Sequence, residues 1–394
     1  MKLLYISKYQ FVIKKDGIYS LPAYGNEFWK KYLDIFDSIE VLGESVKGYL
    51  DNGTLSKITD KRIKIEILPE NTNPKNFKND KAIKAVLSKK ISCAEAILIK
   101  PANRKGMQAI SIAKKYNKPY MIEITGDLNL TLKNHKNILK RMYGPIIHKQ
   151  ILNAIKDCNF GLYVTDYYLQ KIYPIKGKQC GCTDTVIPNP DKMILKERIE
   201  KIINKGENDV FNIGMVASYH DNRKGIDTAI KAISLLKNNN VELHILGLGT
   251  QDDKEKWFSY AERRKIKKYL FFDKSLSNVN DVLSWNDQMD LIILPSRSEG
   301  LPRCIVESLS RACPCIISNV CGLPELVNQK WLHSPGDYRK LSSLIKLMIE
   351  NKELQKEAAI ENFNKSLEFK QSVLIEKRNS FLNDFKEYCQ EKIK

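Results

Sequence analysis

The sequence predicts an α/β protein of two Rossmann-like, doubly wound domains facing each other across a cleft. Three observations predict it. Short β-branched apolar runs alternate with helix-spaced segments, the alternation occurs twice, and a charged, proline-bearing stretch separates the two series. At 394 residues the chain also exceeds what one hydrophobic core usually covers.

The first series is placed at residues 1–190. Runs at 3–7, 39–43, 63–68, 96–99, 120–125 and 161–165 have the length and composition of buried strands. Helical spacing occupies 25–36, 79–90, 103–115 and 138–155 between them, which implies a parallel sheet with helices on both faces. The segment from Val186 to Asp209 holds Pro188 and Pro190 and few apolar residues, and it reads as a linker. The second domain is placed at residues 208–366, with strands at 211–217, 241–246, 270–272, 291–294 and 315–318. Helices are expected there at 225–236, 252–264, 280–286, 302–312 and 338–350, and a further helical pattern covers 369–394. Ligands of such sheets bind beyond the carboxyl ends of the strands, so chemistry is sought in the loops that follow them.

Lys and Arg number 65 against 46 Asp and Glu, a net charge of +19 that favours anionic partners. Most of the excess is lysine spread along the whole chain, without the stacking aromatics of a nucleic-acid groove, so no nucleic acid is expected. Residues 133–149 interleave Lys136, Lys140, Arg141 and Lys149 with Ile138, Leu139, Met142 and Ile146. Two readings of that segment stand, a contact with anionic membrane and a domain-packing helix. The first apolar run is too short for a secretory signal and no stretch has the length of a membrane span, so a cytoplasmic protein is expected, with possible peripheral contact at the inner face of the membrane. Nine scattered cysteines, an odd number, suit reduced structural thiols.

Two loops carry the candidate chemistry. In the first, strand 291–294 runs through Ser296, Glu299, Gly300 and Leu301 into a helix that begins near Pro302. The free amides around Leu301, Arg303 and Cys304 would form an anion site suited to a diphosphate. Glu299 precedes that helix and Glu307 lies two turns later among Ile305, Val306 and Leu309, where a carboxylate needs a partner. Carboxylates are strong acceptors for vicinal hydroxyls. In the second loop, strand 211–217 ends in Ser218-Tyr219-His220-Asp221-Asn222-Arg223-Lys224 and re-enters a helix at Gly225, which places two cations at the strand end. Taken alone, each loop also reads as an ordinary solvated turn.

Together the run Gly214 to Gly249, the segment Pro295-Ser296-x-x-Glu299-Gly300-Leu301-Pro302 and the run Gly322-Leu323-Pro324-Glu325 resemble the retaining glycosyltransferases of family 4, which have the GT-B fold. The resemblance implies a metal-independent enzyme of hexosyltransferase type without a cofactor. Its substrates would be a nucleotide-diphosphate sugar and a glycan or lipid-linked acceptor, in bacterial surface polysaccharide biosynthesis. It implies Glu299 on the donor sugar, Glu307 on the ribose, and Gly300, Leu301, Pro302 and Arg303 at the sugar and diphosphate, with Lys224 on the diphosphate. It also implies that the helix at 369–394 crosses back onto the first domain. The chain contains no Asp-x-Asp sequence of the metal-dependent transferases.

The sequence departs from the family pattern twice. Ala217-Ser218 stands where the family has Gly-Arg, which leaves Ser218 at the donor and Arg223 as the substitute cation. Ile124-Thr125-Gly126-Asp127 stands where a histidine is usual, and Asp127 reads equally as an acceptor-positioning carboxylate and as a cap. Gly25 is a weaker acceptor-side candidate. These departures keep two alternatives open: a catalytically degenerate nucleotide-sugar-binding protein, and a sugar-nucleotide epimerase or hydrolase on the same architecture.

Overall fold

The protein is described by a computed structural model covering residues 1–21, 24–45, 55–70, 74–135, 137–185, 187–236, 240–276 and 278–393. Lys136 and Val186 lie outside the described residues. The chain forms two compact units: Met1–Asn129 with Met142–Cys182 and Ile375–Lys394, and Leu130–Arg141 with Thr183–Leu374.

The first unit is built on strands β1 (Lys2–Lys14), β2 (Gly17–Ser20), β3 (Ser38–Ser45), β4 (Ser56–Lys57), β5 (Ile63–Leu68), β6 (Ala96–Ile99), β7 (Tyr120–Ile124), β8 (Phe160–Tyr163) and β9 (Lys178–Gly181). Its parallel ladder runs β5-β3-β1-β6-β7-β8-β9, so the strand order reverses between β1 and β6. The first strand is longer than its apolar run suggests. Leu3 to Ile6 pair within the parallel sheet, whereas Phe11 to Lys14 turn back through Gly17 to form an antiparallel hairpin with β2. Gly17 has φ +145°, a left-handed value that suits glycine at this turn. The helix at Gln371–Ile393 places Phe381 and Phe385 against Phe160 of β8, with ring centroids 5.7 and 5.4 Å away.

The second unit has strands β10 (Phe211–Val216), β11 (Val241–Leu246), β12 (Leu270–Asp273), β13 (Leu291–Leu294), β14 (Cys315–Ser318) and β15 (Leu332–His333), all parallel, in the order β12-β11-β10-β13-β14-β15. Every residue of β13 and β14 is buried, as strands covered on both faces require. The helix Ile226–Ile233 buries Ile226, Ala229, Ile230 and Ile233, and each large aliphatic side chain so placed stabilises the unit by about 2 kcal/mol.

The stretch read as a linker from its charge is largely a helix, Lys192–Asn204, capped by the Asp191 side chain accepting from the Met193 amide. Ile194, Leu195, Ile199 and Ile202 sit at helical spacing and pack against Ala359 and Phe363. Its buried Arg198 donates to the carbonyls of Met289, Asn286 and Arg311, which end two other helices. The high proportion of charge hid an apolar stripe that is complete in the structure.

Candidate active site

In the second unit the strand order reverses between β10 and β13, and the loops leaving these two strands meet at their carboxyl ends. Glycine makes the approach possible. Gly225 has φ +81°, and a Cβ there would stand 2.0 Å from the Pro295 carbonyl oxygen. A second fastening is Arg297. Its amide donates to the Arg223 carbonyl at 2.8 Å, and its guanidinium donates to the Asn222 carbonyl at 2.7 Å and to both Asp227 oxygens at 3.0 and 2.9 Å. Burial raises the Asp227 pKa, but Arg297 and Asn222 more than offset this and hold the carboxyl below its usual range.

These fastenings bring Lys224 to Glu299. The ammonium Nζ lies 2.7 Å from Oε1 of the carboxylate, and both side chains are largely buried. Ser296 Oγ donates to the same oxygen at 2.7 Å. Burial pulls the Lys224 pKa down, yet Cys304 and Glu299 carry it above the ordinary lysine value, so Lys224 is charged at neutral pH. The Glu299 backbone amide points at Cys321 Sγ, 3.5 Å away. Cys321 has φ +53°, an uncommon value for a side-chain-bearing residue, just before the short helix Leu323–Glu325.

The helix after this loop is Arg303–Ser310, so Pro302 is the residue flanking its first turn and not the first helical residue. The first turn presents the amides of Arg303 and Cys304, which have no partner inside the helix. Glu307 is buried on this helix, and Arg303 Nε donates to it at 2.8 Å. Burial raises the Glu307 pKa and Arg303 only partly offsets it, so the net shift is upward. The half-buried Cys304 lies among all these charges. Burial pushes its thiol up to about 11, with Lys224 lowering it and Glu299 and Glu307 raising it.

Ser218 is half-buried and accepts from the His220 amide at 3.4 Å, while Arg223 is exposed. Gly300 and Leu301 are half-buried in the loop and Pro302 is buried. The segment Leu130–Arg141, early in the chain, belongs with this second unit: Asn134 donates to the Arg297 carbonyl at 3.0 Å, and Thr131 Oγ1 lies 3.4 Å from Ser298 Oγ. Cys321 and the Arg297–Asp227 pair were not singled out from sequence, Ser296 was given no role of its own, and residues 133–149 were read as a membrane or packing helix with no link to this loop. Of them, only Ser296 stands inside a recognisable motif.

The remaining candidates lie in the first unit. Asp127 is buried, with Tyr168 donating to Oδ2 at 2.8 Å and Tyr173 to Oδ1 at 3.3 Å. Gly25 is the N-cap of the helix Asn26–Leu33. Where strand order reverses in this unit, Glu123 accepts from Tyr5 at 2.7 Å and Tyr32 at 3.2 Å and pairs with Lys100 at 3.2 Å, a buried charge with its partners complete. A cavity of about 380 Å³ lined by Lys2, Glu40, Lys90 and Glu95 lies toward the amino ends of the strands. Its charges are tied up in the Lys2–Glu40 and Lys90–Glu40 pairs, so it offers less chemistry than the β10–β13 crevice.

A cation, two carboxylates and a helix amino end lie together at the switch point of a doubly wound sheet, and groups of these kinds can bond phosphate oxygens and hydroxyls. The fold belongs to the GT-B glycosyltransferase class. It is similar to that of HepE from Anabaena in complex with UDP, with a TM-score of 0.67 at 14% identity, covering 98% of this chain and 100% of that one. Residues 193–365, which lie within the second unit, match the family described as glycosyl transferases group 1. Protein CapJ of Staphylococcus aureus is 29% identical over 389 residues, 97% of this chain and 95% of CapJ. The capsular polysaccharide biosynthesis glycosyltransferase CapM of the same organism is 26% identical over 208 residues, half of each chain. These likenesses support reading the chain as a glycosyltransferase.

Proposed function

We propose that the protein moves a hexose-type sugar from a nucleoside-diphosphate sugar to a glycan or lipid-linked acceptor, with retention at the anomeric carbon, in the assembly of a bacterial surface polysaccharide. The observation that carries this reading is the Lys224–Glu299 pair beside the amino end of Arg303–Ser310. Lys224 and the amides of Arg303 and Cys304 meet the negative charge that grows on the diphosphate as the glycosidic bond breaks. Glu299, oriented by Ser296, accepts from sugar hydroxyls, and Glu307 accepts from the ribose. On this reading neither a metal nor a cofactor takes part, because the fixed cation and helix dipole answer the departing charge.

HepE is described in complexes with UDP and with UDP-glucose, and CapM is named for capsular polysaccharide biosynthesis, which supports the donor and pathway classes. Asp127 and Gly25 are the acceptor-side candidates of this reading, with Asp127 acting through the orientation that Tyr168 and Tyr173 impose. Arg223, exposed beside Lys224, supplies a second charge for the diphosphate.

The test is product formation from a panel of nucleotide sugars, UDP-glucose first, with membrane lipid extract as acceptor. Wild type transfers sugar to lipid, and Lys224→Ala and Glu299→Ala each fall by about a hundredfold or more. Unchanged transfer in both variants overturns the residue roles. Nucleotide binding without any product favours the degenerate alternative, and free sugar without acceptor favours a hydrolase.

A further inference from the structure

The helix Ile138–Ile155 has two apolar faces, and the fold uses only one. Gly144, Ile147, Ile151 and Ile155 are buried. Ile138, Leu139, Met142, Tyr143 and Ile146 are exposed, Leu139 by 72% and Met142 by 69%. At about 100° per residue the two sets centre about 150° apart, so the exposed set forms a stripe of its own on the far side of the helix. Single exposed apolar residues need no explanation, but five on one helical face do.

The charge around this stripe has one sign. From Leu128 through Lys156 the sequence holds six cations, Lys133, Lys136, Lys140, Arg141, Lys149 and Lys156, and no Asp or Glu. Lys140 and Arg141 stand exposed in the first turn of the helix, about 60° beyond either edge of the stripe, and Lys149 falls within its arc. Over a chain that carries 46 acidic residues this is a local exclusion of negative charge. An apolar stripe whose own segment carries only cations complements a layer of anionic headgroups over hydrocarbon, with Tyr143 suited to the boundary between them. A second copy of the same face would bring these cations against one another. Among the described residues no helix is long and apolar enough to cross a membrane, so contact here would lie along the surface.

We propose that the exposed face of the helix Ile138–Ile155 docks the protein on an anionic lipid bilayer. This deepens the lipid-linked-acceptor reading, which gives the docking a purpose, although the stripe and its charge stand apart from the donor residues. The segment leading into the helix bonds the donor loop through Asn134 and the Arg297 carbonyl, so the docking face is joined in sequence to a segment that touches that loop.

The experiment is co-sedimentation with vesicles of phosphatidylglycerol and phosphatidylcholine in equal parts, against vesicles of phosphatidylcholine alone. Wild type sediments with the anionic vesicles, only weakly with the neutral ones, and is released as salt rises. Leu139→Asp with Met142→Asp, and separately Lys140→Glu with Arg141→Glu, each weaken binding by about tenfold or more. These positions are exposed, so melting temperatures match wild type, and the second variant keeps the test sound if the first melts early. Thermal shift by UDP is measured on the same samples: its loss in wild type counts against the donor reading and leaves the docking face standing. Wild type that ignores anionic vesicles overturns the proposal. So does sedimentation of both variants at the wild-type level, or light scattering that shows a dimer dissolved by the substitutions while lipid binding persists.

Discussion

Lys224 Nζ stands 2.7 Å from Glu299 Oε1, a cation and a carboxylate carried by two loops that leave neighbouring strands of the second unit. Each neutralises the other in a largely buried setting, and each offers the donor a different interaction. The pair therefore acts as a unit, and its energetics are expected to be non-additive. In a double-mutant cycle on sugar transfer, Lys224→Ala and Glu299→Gln each lower kcat/KM by about a hundredfold, and the double variant is within about tenfold of the weaker single variant. Fully multiplicative losses would show that the two groups act independently.

Gly225 is expected to be the least replaceable glycine of the site. Alanine there is strained by φ +81° and would place its Cβ 2.0 Å from the Pro295 carbonyl oxygen, forcing apart the loops that carry Lys224 and Glu299. Gly336 has the same φ with nothing within 4 Å of a Cβ, so it isolates the backbone component. Gly336→Ala is expected to cost about 1 kcal/mol and leave transfer intact. Gly225→Ala costs about 3 kcal/mol or more and lowers transfer as well. Urea unfolding and transfer rates on the two variants separate strain from clash.

The contrast between loops and strands explains what the sequence discloses. The bounds read for β5, β6, β11, β13 and β14 coincide with the structure; β6 and β13 are apolar throughout, and β5 and β11 keep apolar residues at alternate positions. The hairpin of β1 and β2 was missed because Lys8, Gln10 and Lys14 interrupt its apolar residues, of which Tyr9 and Phe11 are buried and Ile13 is exposed. Helix Lys192–Asn204 was read as linker because Arg198, a charge, fills a core position. Lys224 and Glu299 were each visible in a motif, but their contact depends on strand order. Arg297 with Asp227, about 70 positions apart, and Cys321 with Glu299 leave no local trace at all. Residues 130–141 show the same limit, since nothing in their pattern says that they join the second unit.

Arg198 is expected to matter for stability and not for chemistry. Its guanidinium satisfies the carbonyls of Asn286 at 3.0 Å and Arg311 at 3.2 Å, bonds Met289 as well, and lies 2.9 Å from Cys313 Sγ. Arg198→Met keeps the bulk and takes a donor from each carbonyl; Met289 keeps Lys201 and Asn286 keeps the Met289 amide, so the loss falls mainly on Arg311, at a cost of about 2 kcal/mol. The expected signature is a lower melting temperature with nucleotide affinity unchanged in the cold. Equal melting temperatures would show that water replaces the guanidinium without loss.

Glu307 gives a pH dependence whose two consequences run in opposite directions. Its pKa is raised by burial, with Arg303 offsetting only part, so the folded protein takes up its proton at a higher pH than an unfolded glutamate does. Between the ordinary and the raised pKa the native state binds more protons than the unfolded one, so this group makes the fold more stable as pH falls. A protonated carboxyl is a poorer acceptor for ribose hydroxyls, so affinity for UDP falls over the same window. Melting temperature and UDP affinity measured from about pH 4 to about pH 7 should therefore diverge in wild type, after subtraction of the Glu307→Gln profile. Arg303→Ala removes the offsetting charge and shifts the divergence to higher pH. A UDP affinity that tracks wild type in Glu307→Gln at every pH would take Glu307 out of nucleotide recognition.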